Sequence, residues 1–144
     1  MSDNSWFVDV IYCDDVRRED TGKAIYIGVY TEAMEASEFP LTLPKFVVIT
    51  RLFSPSDDTT VPNAIRLRSN QSTIVTFPKP KDMPNELGLI TFEMHSTNFA
   101  IAQPCTLDVE VELADHQKIY SRPFSVRHKP GNKSQAPELP SLTH

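Results

Sequence analysis

The sequence predicts an all-β protein, a single immunoglobulin-like antiparallel β-sandwich of roughly seven to nine strands. The first observation is strict alternation: from Leu107 to Leu113 the odd-numbered residues are aliphatic and the even-numbered ones are acidic. This is the pattern of a strand with one buried face. The second is that short runs of β-branched and aromatic residues recur between turn-forming residues. The third is that no long helical pattern alternates with these runs, which argues against a parallel α/β sheet.

The other predicted strands are short and rich in Val, Ile, Tyr and Phe. They span residues 6–13, 24–31, 45–53, 64–68, 73–77 and 87–95, with 118–126 as the return arm of the hairpin that begins at Cys105. We expect the first two to pair across the charged connection 14–22, because neighbouring strands usually pair. Residues 32–44 contain good helix formers, but enough only for a turn or two of helix.

The return arm of the last hairpin contains an irregularity. Ile119 and Phe124 have opposite parity, so both cannot face the core from a regular strand. We therefore predict a bulge near residues 121–123, where Pro123 would also be tolerated. Gly28, inside the second predicted strand, indicates another bulge or a close approach of two backbones.

The chain has the size of one domain. Of its 144 residues, we assign 1–128 to the sandwich and 129–144 to a disordered tail, which lacks periodicity and is rich in turn formers. The net charge of -5 argues against a nucleic-acid surface. The N-terminus lacks a signal segment, and no apolar run reaches the roughly 18 residues of a membrane helix. We expect a cytoplasmic protein, or part of a larger particle, with no membrane partner.

The two cysteines, Cys13 and Cys105, fall on predicted strands. We expect both to be reduced and buried, since a free cysteine packs like a small apolar residue. The alternative is a disulfide between the two sheets, as in antibody domains.

Nothing in the sequence forms a recognisable catalytic or metal site. The acidic residues Asp14, Asp15, Glu19 and Asp20 resemble a Ca²⁺-binding loop, but Arg17 and Arg18 lie among them and favour a self-paired turn. The four histidines, His95, His116, His128 and His144, lack the short spacings of zinc ligands. Nucleophile and phosphate-binding motifs are absent. We therefore expect no catalytic residue, no metal, no cofactor and no enzymatic activity.

Two groups of residues are candidates for binding. Arg66, Arg68, Lys79 and Lys81 come from one predicted hairpin and the loop after it, and together would form a basic patch. Such a patch suits an anionic ligand such as a nucleotide, or an acidic partner. The alternative is dispersed charge that only keeps the protein soluble.

The second candidate is an aromatic pair on the second predicted strand. Tyr26 and Tyr30 share one face with Gly28 if that strand is regular. If the face is outward, it is an interface; if it is inward, it is core. The open edges of a sandwich are a further route to binding, because they accept an added strand.

Three stretches carry a resemblance to known proteins. Residues 13–19, 22–30 and 39–45 resemble an uncharacterised family of small bacterial and phage β-sandwich proteins of unknown function. The resemblance implies a compact β domain and a bacterial or phage origin, with a place in a phage particle as one possible location. It implies no catalytic residue.

The predicted function is that of a non-catalytic protein-interaction or assembly module, whose partner is another protein or a second copy of the chain. One alternative is a protein that binds a small anionic ligand such as a nucleotide. Another is a hydrolase whose site is assembled from residues distant in the sequence.

Overall fold

All regular structure in the described part of the chain is β-strand. The computed structural model describes residues 5–55, 61–77 and 88–130. These residues contain eleven strands and no helix, and hence no helix that could cross a membrane. The strands are β1 (Phe7–Cys13), β2 (Asp15–Arg18), β3 (Ala24–Ile27), β4 (Ala33–Ala36), β5 (Leu41–Phe53), β6 (Ala64–Ser69), β7 (Ser72–Thr76), β8 (Leu89–Ile101), β9 (Cys105–Glu112), β10 (Lys118–Tyr120) and β11 (Phe124–His128).

The strands form two main sheets and a separate hairpin. The three-stranded sheet has the order β1-β5-β8. The six-stranded sheet has the order β4-β11-β9-β6-β7, with β10 also paired to β9. The outer hairpin consists of β2 and β3. The pairs are antiparallel except that β4 lies parallel to β11.

The main core lies between the two sheets. Phe46 and Leu52 of the three-stranded sheet and Ile65 and Val109 of the six-stranded sheet belong to one buried cluster, each with no exposed surface. Alternation along each strand places these residues inward and their neighbours outward. Hydrophobic burial between two amphipathic sheets is therefore what holds the sandwich together.

A smaller cluster lies on the other face of the three-stranded sheet. Cys13, Val47 and Ile49 are buried there, and Val16 and Tyr26 of the outer hairpin pack against them. This second layer explains why β5 reads as an almost continuous apolar run, since a strand covered on both faces needs apolar residues on both.

Along the long strands β5 and β8, the alternation of residues that face the main core is interrupted at the same point. Leu43 and Phe46 both belong to the main core although their parities differ. Opposite Pro44, which has no N–H to donate, stands Asn98 with a φ of 53°. Because both strands shift there together, the register stays in step on either side, from Leu43 opposite Phe99 to Lys45 opposite Thr97.

The prediction of an all-β protein is confirmed, and so is the irregularity in the last hairpin. Tyr120 is paired with Glu110, whereas Phe124 is paired with Leu107. Three residues on one strand thus oppose two on the other, which is the one-residue excess of a bulge. It lets Ile119 and Phe124 both contact the core. At Gly28 the close approach is to a side chain and not to a second backbone, since a Cβ there would lie 2.3 Å from a carboxylate oxygen of Asp14.

Two local predictions are wrong. The first strand does not pair with 24–31: β1 pairs along its length with β5, and the predicted connection itself contains β2, the partner of β3. Residues 32–44 form no helical turn. Their segment Ala33–Ala36 is a strand beside β11, where Met34 and Ala36 are buried. Tertiary pairing overrides helix propensity in so short a run.

These extra short strands, with the bulge that divides β10 from β11, raise the strand number above the expected range. Both cysteines are free, and Cys13 is fully buried while Cys105 is half-buried. The immunoglobulin-like arrangement and the domain boundary at residue 128 stay predictions. Most of the predicted tail, residues 131–144, lies outside the described residues.

Two identical substitutions test where the core lies. Phe46→Ala removes a ring with no exposed surface, whereas Phe7→Ala removes one that is 61% exposed. Urea unfolding should show a loss of about 3–5 kcal/mol for the buried site and about 0.5 kcal/mol or less for the exposed one. Equal losses would contradict the placement of the core between the sheets.

Candidate functional site

A groove runs along one side of the sandwich, where the edges of the two sheets meet. It encloses about 570 Å³. One wall is the β1 edge of the three-stranded sheet, and the other comes from the segment that joins β10 to β11. We call it the edge groove and define it by its six aromatic residues, Trp6, Phe7, Tyr12, Tyr30, Tyr120 and Phe124.

Exposed aromatic surface marks this groove. Phe7 is 61% exposed and Tyr120 is 47% exposed, although each carries a large apolar ring. Trp6 and Phe7 are adjacent at the start of β1, and successive side chains of a strand point to opposite faces. Concave aromatic surface of this kind is typical of binding sites rather than of the general surface.

The β1 edge also offers unpaired backbone groups. The carbonyl of Tyr12 accepts a hydrogen bond of 2.9 Å from the N–H of Tyr30, which lies outside the three-stranded sheet. The backbone groups of Tyr12 therefore point away from β5. Residues two apart on a strand direct their backbone groups the same way, so those of Val8 and Val10 do too. Among the described residues, no strand pairs with that side of β1.

The floor of the groove joins the two sheets. The ring of Tyr12 stacks on Phe124 at 4.6 Å between centroids and on Phe46 at 6.1 Å. The Tyr12 hydroxyl is buried and makes no hydrogen bond within the described chain. Burial, and secondly the charge of Asp108, raise the pKa of this phenol, and the nearby Ser121 hydroxyl opposes the shift without reaching hydrogen-bond geometry. The phenol is therefore neutral at physiological pH.

Tyr30 forms part of the wall. Its hydroxyl donates a hydrogen bond of 2.9 Å to an oxygen of Asp14. Partial burial, and then this bond to a carboxylate, raise the pKa of Tyr30 to about 12. A hydrogen bond that the neutral phenol donates disfavours its ionised form. Tyr30 is thus a fixed neutral side chain of the wall.

Charged groups also line the groove. Asp9 is neutralised by Arg51, with 2.6 Å between the carboxylate oxygen and the guanidinium nitrogen. Glu32 and Arg122 are exposed, and neither forms an ion pair within the described residues. Within the described ranges, the groove therefore carries one unpaired anion and one unpaired cation.

Of the predicted basic patch, the structure describes only Arg66 and Arg68, since Lys79 and Lys81 lie outside the described residues. Both arginines lie on the outer face of the six-stranded sheet, beside the acidic residues of the neighbouring strand β9. Arg68 holds Asp108 through two bonds of 2.7 Å each. Its guanidinium also lies 4.4 Å from the centre of the Tyr120 ring, at a distance typical of cation–π contacts.

We call the row of paired charges formed by Arg66, Arg68, Asp108, Glu110 and Glu112 the acid–base ladder. Arg66 contacts Glu110 at 2.8 Å and Glu112 at 3.0 Å, and these hydrogen bonds raise the pKa of Arg66. A hydrogen bond from His116, and then that from Arg66, lower the pKa of Glu112. The two guanidinium groups are thus already occupied by carboxylates of the same sheet. An anionic ligand would have to displace those partners.

Tyr26 and Tyr30 pack against different clusters. Tyr26 lies on the small cluster under the outer hairpin, whereas Tyr30 lies against the main core and the edge groove. The predicted common face is lost because β3 ends at Ile27 and Gly28 follows with a φ of 70°. Only Tyr30 therefore belongs to the candidate site.

The acidic residues near the N-terminus lie on and around the outer hairpin, and two of them pair with cations. Asp15 lies 3.7 Å from Lys45, and Glu19 lies 3.8 Å from Lys23. Arg18 pairs with Glu93 of β8. No group of histidine, cysteine or acidic residues in the described ranges could hold a metal ion. Burial first, and then the charges of Asp14 and Asp15, raise the pKa of Cys13, so its thiol is protonated at neutral pH.

His95 and His116 each contact a glutamate of their own sheet, at 2.9 Å and 3.0 Å. His128 lies edge-on to the ring of Phe39. His144 lies outside the described residues. These placements assign the described histidines to surface contacts.

Sequence reasoning singled out Tyr30 but missed the groove that contains it. One signal was available: two large aromatic residues in succession, Trp6 and Phe7, cannot both face a core from one strand. The other wall could not be recognised, because it depends on which sheet edges meet.

The fold and the groove define a class, an all-β sandwich with an open, aromatic-lined edge. A model described as a family of unknown function, DUF6941, matches residues 9–127. The chain belongs to that family. No curated protein and no solved structure gives a significant match. The resemblance to an uncharacterised family is thereby confirmed.

The acid–base ladder predicts a strong asymmetry between two arginines. Arg68→Ala should cost about 2 kcal/mol, because it leaves the nearly buried carboxylate of Asp108, 12% exposed, without its partner. Arg17→Ala removes a pair at 3.9 Å with a 71% exposed arginine and should cost about 0.5 kcal/mol or less. Urea unfolding of both variants measures the difference, and similar losses would show that the ladder adds no stability.

The lowered pKa of Glu112 predicts how stability changes with pH. A carboxyl group whose pKa is lower in the folded state stabilises the fold above its ordinary pKa of 4.5. That stability is lost as the pH falls through the lower, folded value. The stability advantage of the wild type over Glu112→Gln should therefore be full above about pH 5 and shrink below about pH 4. Unfolding curves at several pH values measure it; an advantage that grows toward acid pH would refute it.

Proposed function

We propose that this protein is a non-catalytic protein-interaction module that binds an extended segment of a partner protein as an added strand on β1. The observation that carries the proposal is the β1 edge, which no strand of the described chain pairs with and where the outward backbone groups of Val8 and Val10 adjoin the edge groove. Strand addition satisfies such groups with main-chain hydrogen bonds, while side chains at alternate positions provide specificity.

The walls of the groove support apolar side chains at every second position of the partner. An added strand would direct alternate residues inward, towards the rings of Trp6, Tyr120 and Phe124. Exposed aromatic rings supply most of the binding energy in many interfaces, because their burial removes a large apolar area from water. The partner is therefore an extended segment that alternates apolar and polar residues.

The proposed cellular compartment and the origin of the partner rest on the free cysteines and on the sequence resemblance. Two free cysteines fit a reducing compartment such as the cytoplasm. The resemblance of residues 13–45 to small bacterial and phage proteins supports a partner encoded by a bacterium or a phage. A second copy of the chain is a less favoured partner, because the proposal requires only an extended segment and a copy would have to supply one from its own fold.

The nucleotide alternative receives less support. It depends on Arg66 and Arg68, and these are engaged at 2.7–3.0 Å by carboxylates on the same sheet. Displacing them would leave carboxylates without partners.

The proposal can be tested at a single backbone N–H. Random displayed peptides of about ten residues, long enough for one strand, are selected on the immobilised wild-type protein. Val10→Pro removes an outward N–H without removing a bond to β5, and proline is tolerated at such an edge. Binding of the selected peptides should weaken about three- to tenfold, the value of one hydrogen bond, with affinity measured by calorimetry.

The matched control is Val10→Ala, which also shortens the side chain but keeps the N–H, and should retain most of the affinity. Phe7→Ala provides a second test, since it removes groove surface from an exposed position. The proposal fails if no peptide is selected, or if the selected peptides bind Val10→Pro and Phe7→Ala as well as they bind the wild type.

A further inference from the structure

Two opposite charges in the edge groove, Glu32 and Arg122, form no ion pair with any residue that the structure describes. Glu32 precedes β4 and lies close to the point where Tyr30 bonds the end of β1, while Arg122 lies in the bulge between β10 and β11. Both are exposed, and within the described residues neither forms an ion pair, including with the other. The third charged residue of the lining, Asp9, is already paired with Arg51.

Several other charged residues near the groove are already paired. Arg51, Arg68, Asp108 and Glu110 all have ionic partners at 3.7 Å or less. Of the charged residues that line the groove itself, Glu32 and Arg122 are the two that form no ion pair within the described part of the chain. Complementary charges at the rim of an interface contribute mainly to specificity and to register.

We infer that Glu32 and Arg122 select the partner, so that the bound segment carries a basic residue beside Glu32 and an acidic residue beside Arg122. This inference rests on the proposed function, because it concerns the segment that binds to β1. It adds to the alternation of apolar residues a requirement for two charges of opposite sign. The partner is thus a zwitterionic strand rather than a uniformly basic or acidic one.

The experiment repeats the peptide selection on charge-reversed proteins. On the wild type, the selected peptides should carry both a basic and an acidic residue. On Glu32→Lys their mean net charge should become more negative, and on Arg122→Glu more positive, by about one charge or more. The double variant should return the mean to that of the wild type, but its peptides should bind the wild-type protein about two- to fivefold more weakly than they bind the double variant.

Two controls carry the same charge changes on exposed residues away from the groove. Glu38→Lys and Arg17→Glu alter the net charge of the protein equally and should leave the selected peptides unchanged. A shift of equal size with these controls would show general electrostatics, and would overturn the inference.

The outcomes separate the two proposals. If the selected peptides depend on the N–H of Val10 but show no charge preference, or if their charge does not follow the reversals, the selection by Glu32 and Arg122 is wrong while strand addition stands. If no peptide depends on Val10, strand addition itself is wrong and the inference falls with it. Thermal melts of each variant confirm that the compared proteins are folded.

Discussion

The stacking of Tyr12 on Phe124 is the contact on which the edge groove depends, because it joins the two sheets at the point where their edges meet. Its centroid distance of 4.6 Å suits an offset aromatic pair. The same tyrosine accepts the backbone bond from Tyr30, where the chain crosses towards β4. Without this contact the sheets could still pack at their centre, but the groove would have no floor.

Much of the fold could be predicted from the sequence, because alternation is a local property. The parity conflict between Ile119 and Phe124 located a bulge before any pairing was known. Pairing itself is different, since it depends on contacts between distant segments. The partner of β1 is β5, about forty residues away, and no local pattern distinguishes it from β3. The strand at Ala33–Ala36 has the same origin, since β11 provides its hydrogen bonds.

The candidate site was less accessible to sequence reasoning, for a related reason. Arg66 and Arg68 could be placed on one face, and so could the acidic residues of β9, but only the register brings the two rows together. In the sequence the two arginines look like part of a free basic patch, but in the structure the carboxylates of β9 beside them neutralise their charge. The groove required still more, namely the relative position of two sheets. The adjacent residues Trp6 and Phe7 indicate only that one of the two rings must lie outside the core.

The ladder and the groove share one side chain, and this links the paired charges of the outer face to the geometry of the groove. Tyr120 lines the groove, while its ring also receives the guanidinium of Arg68. Arg68 is in turn held by bonds to both carboxylate oxygens of Asp108, and this paired contact fixes the orientation of its planar guanidinium. A cation fixed in this way restricts the ring beside it, and a restricted aromatic side chain loses less conformational freedom when a partner binds. The paired charges on the outer face thus help to orient one wall of the groove.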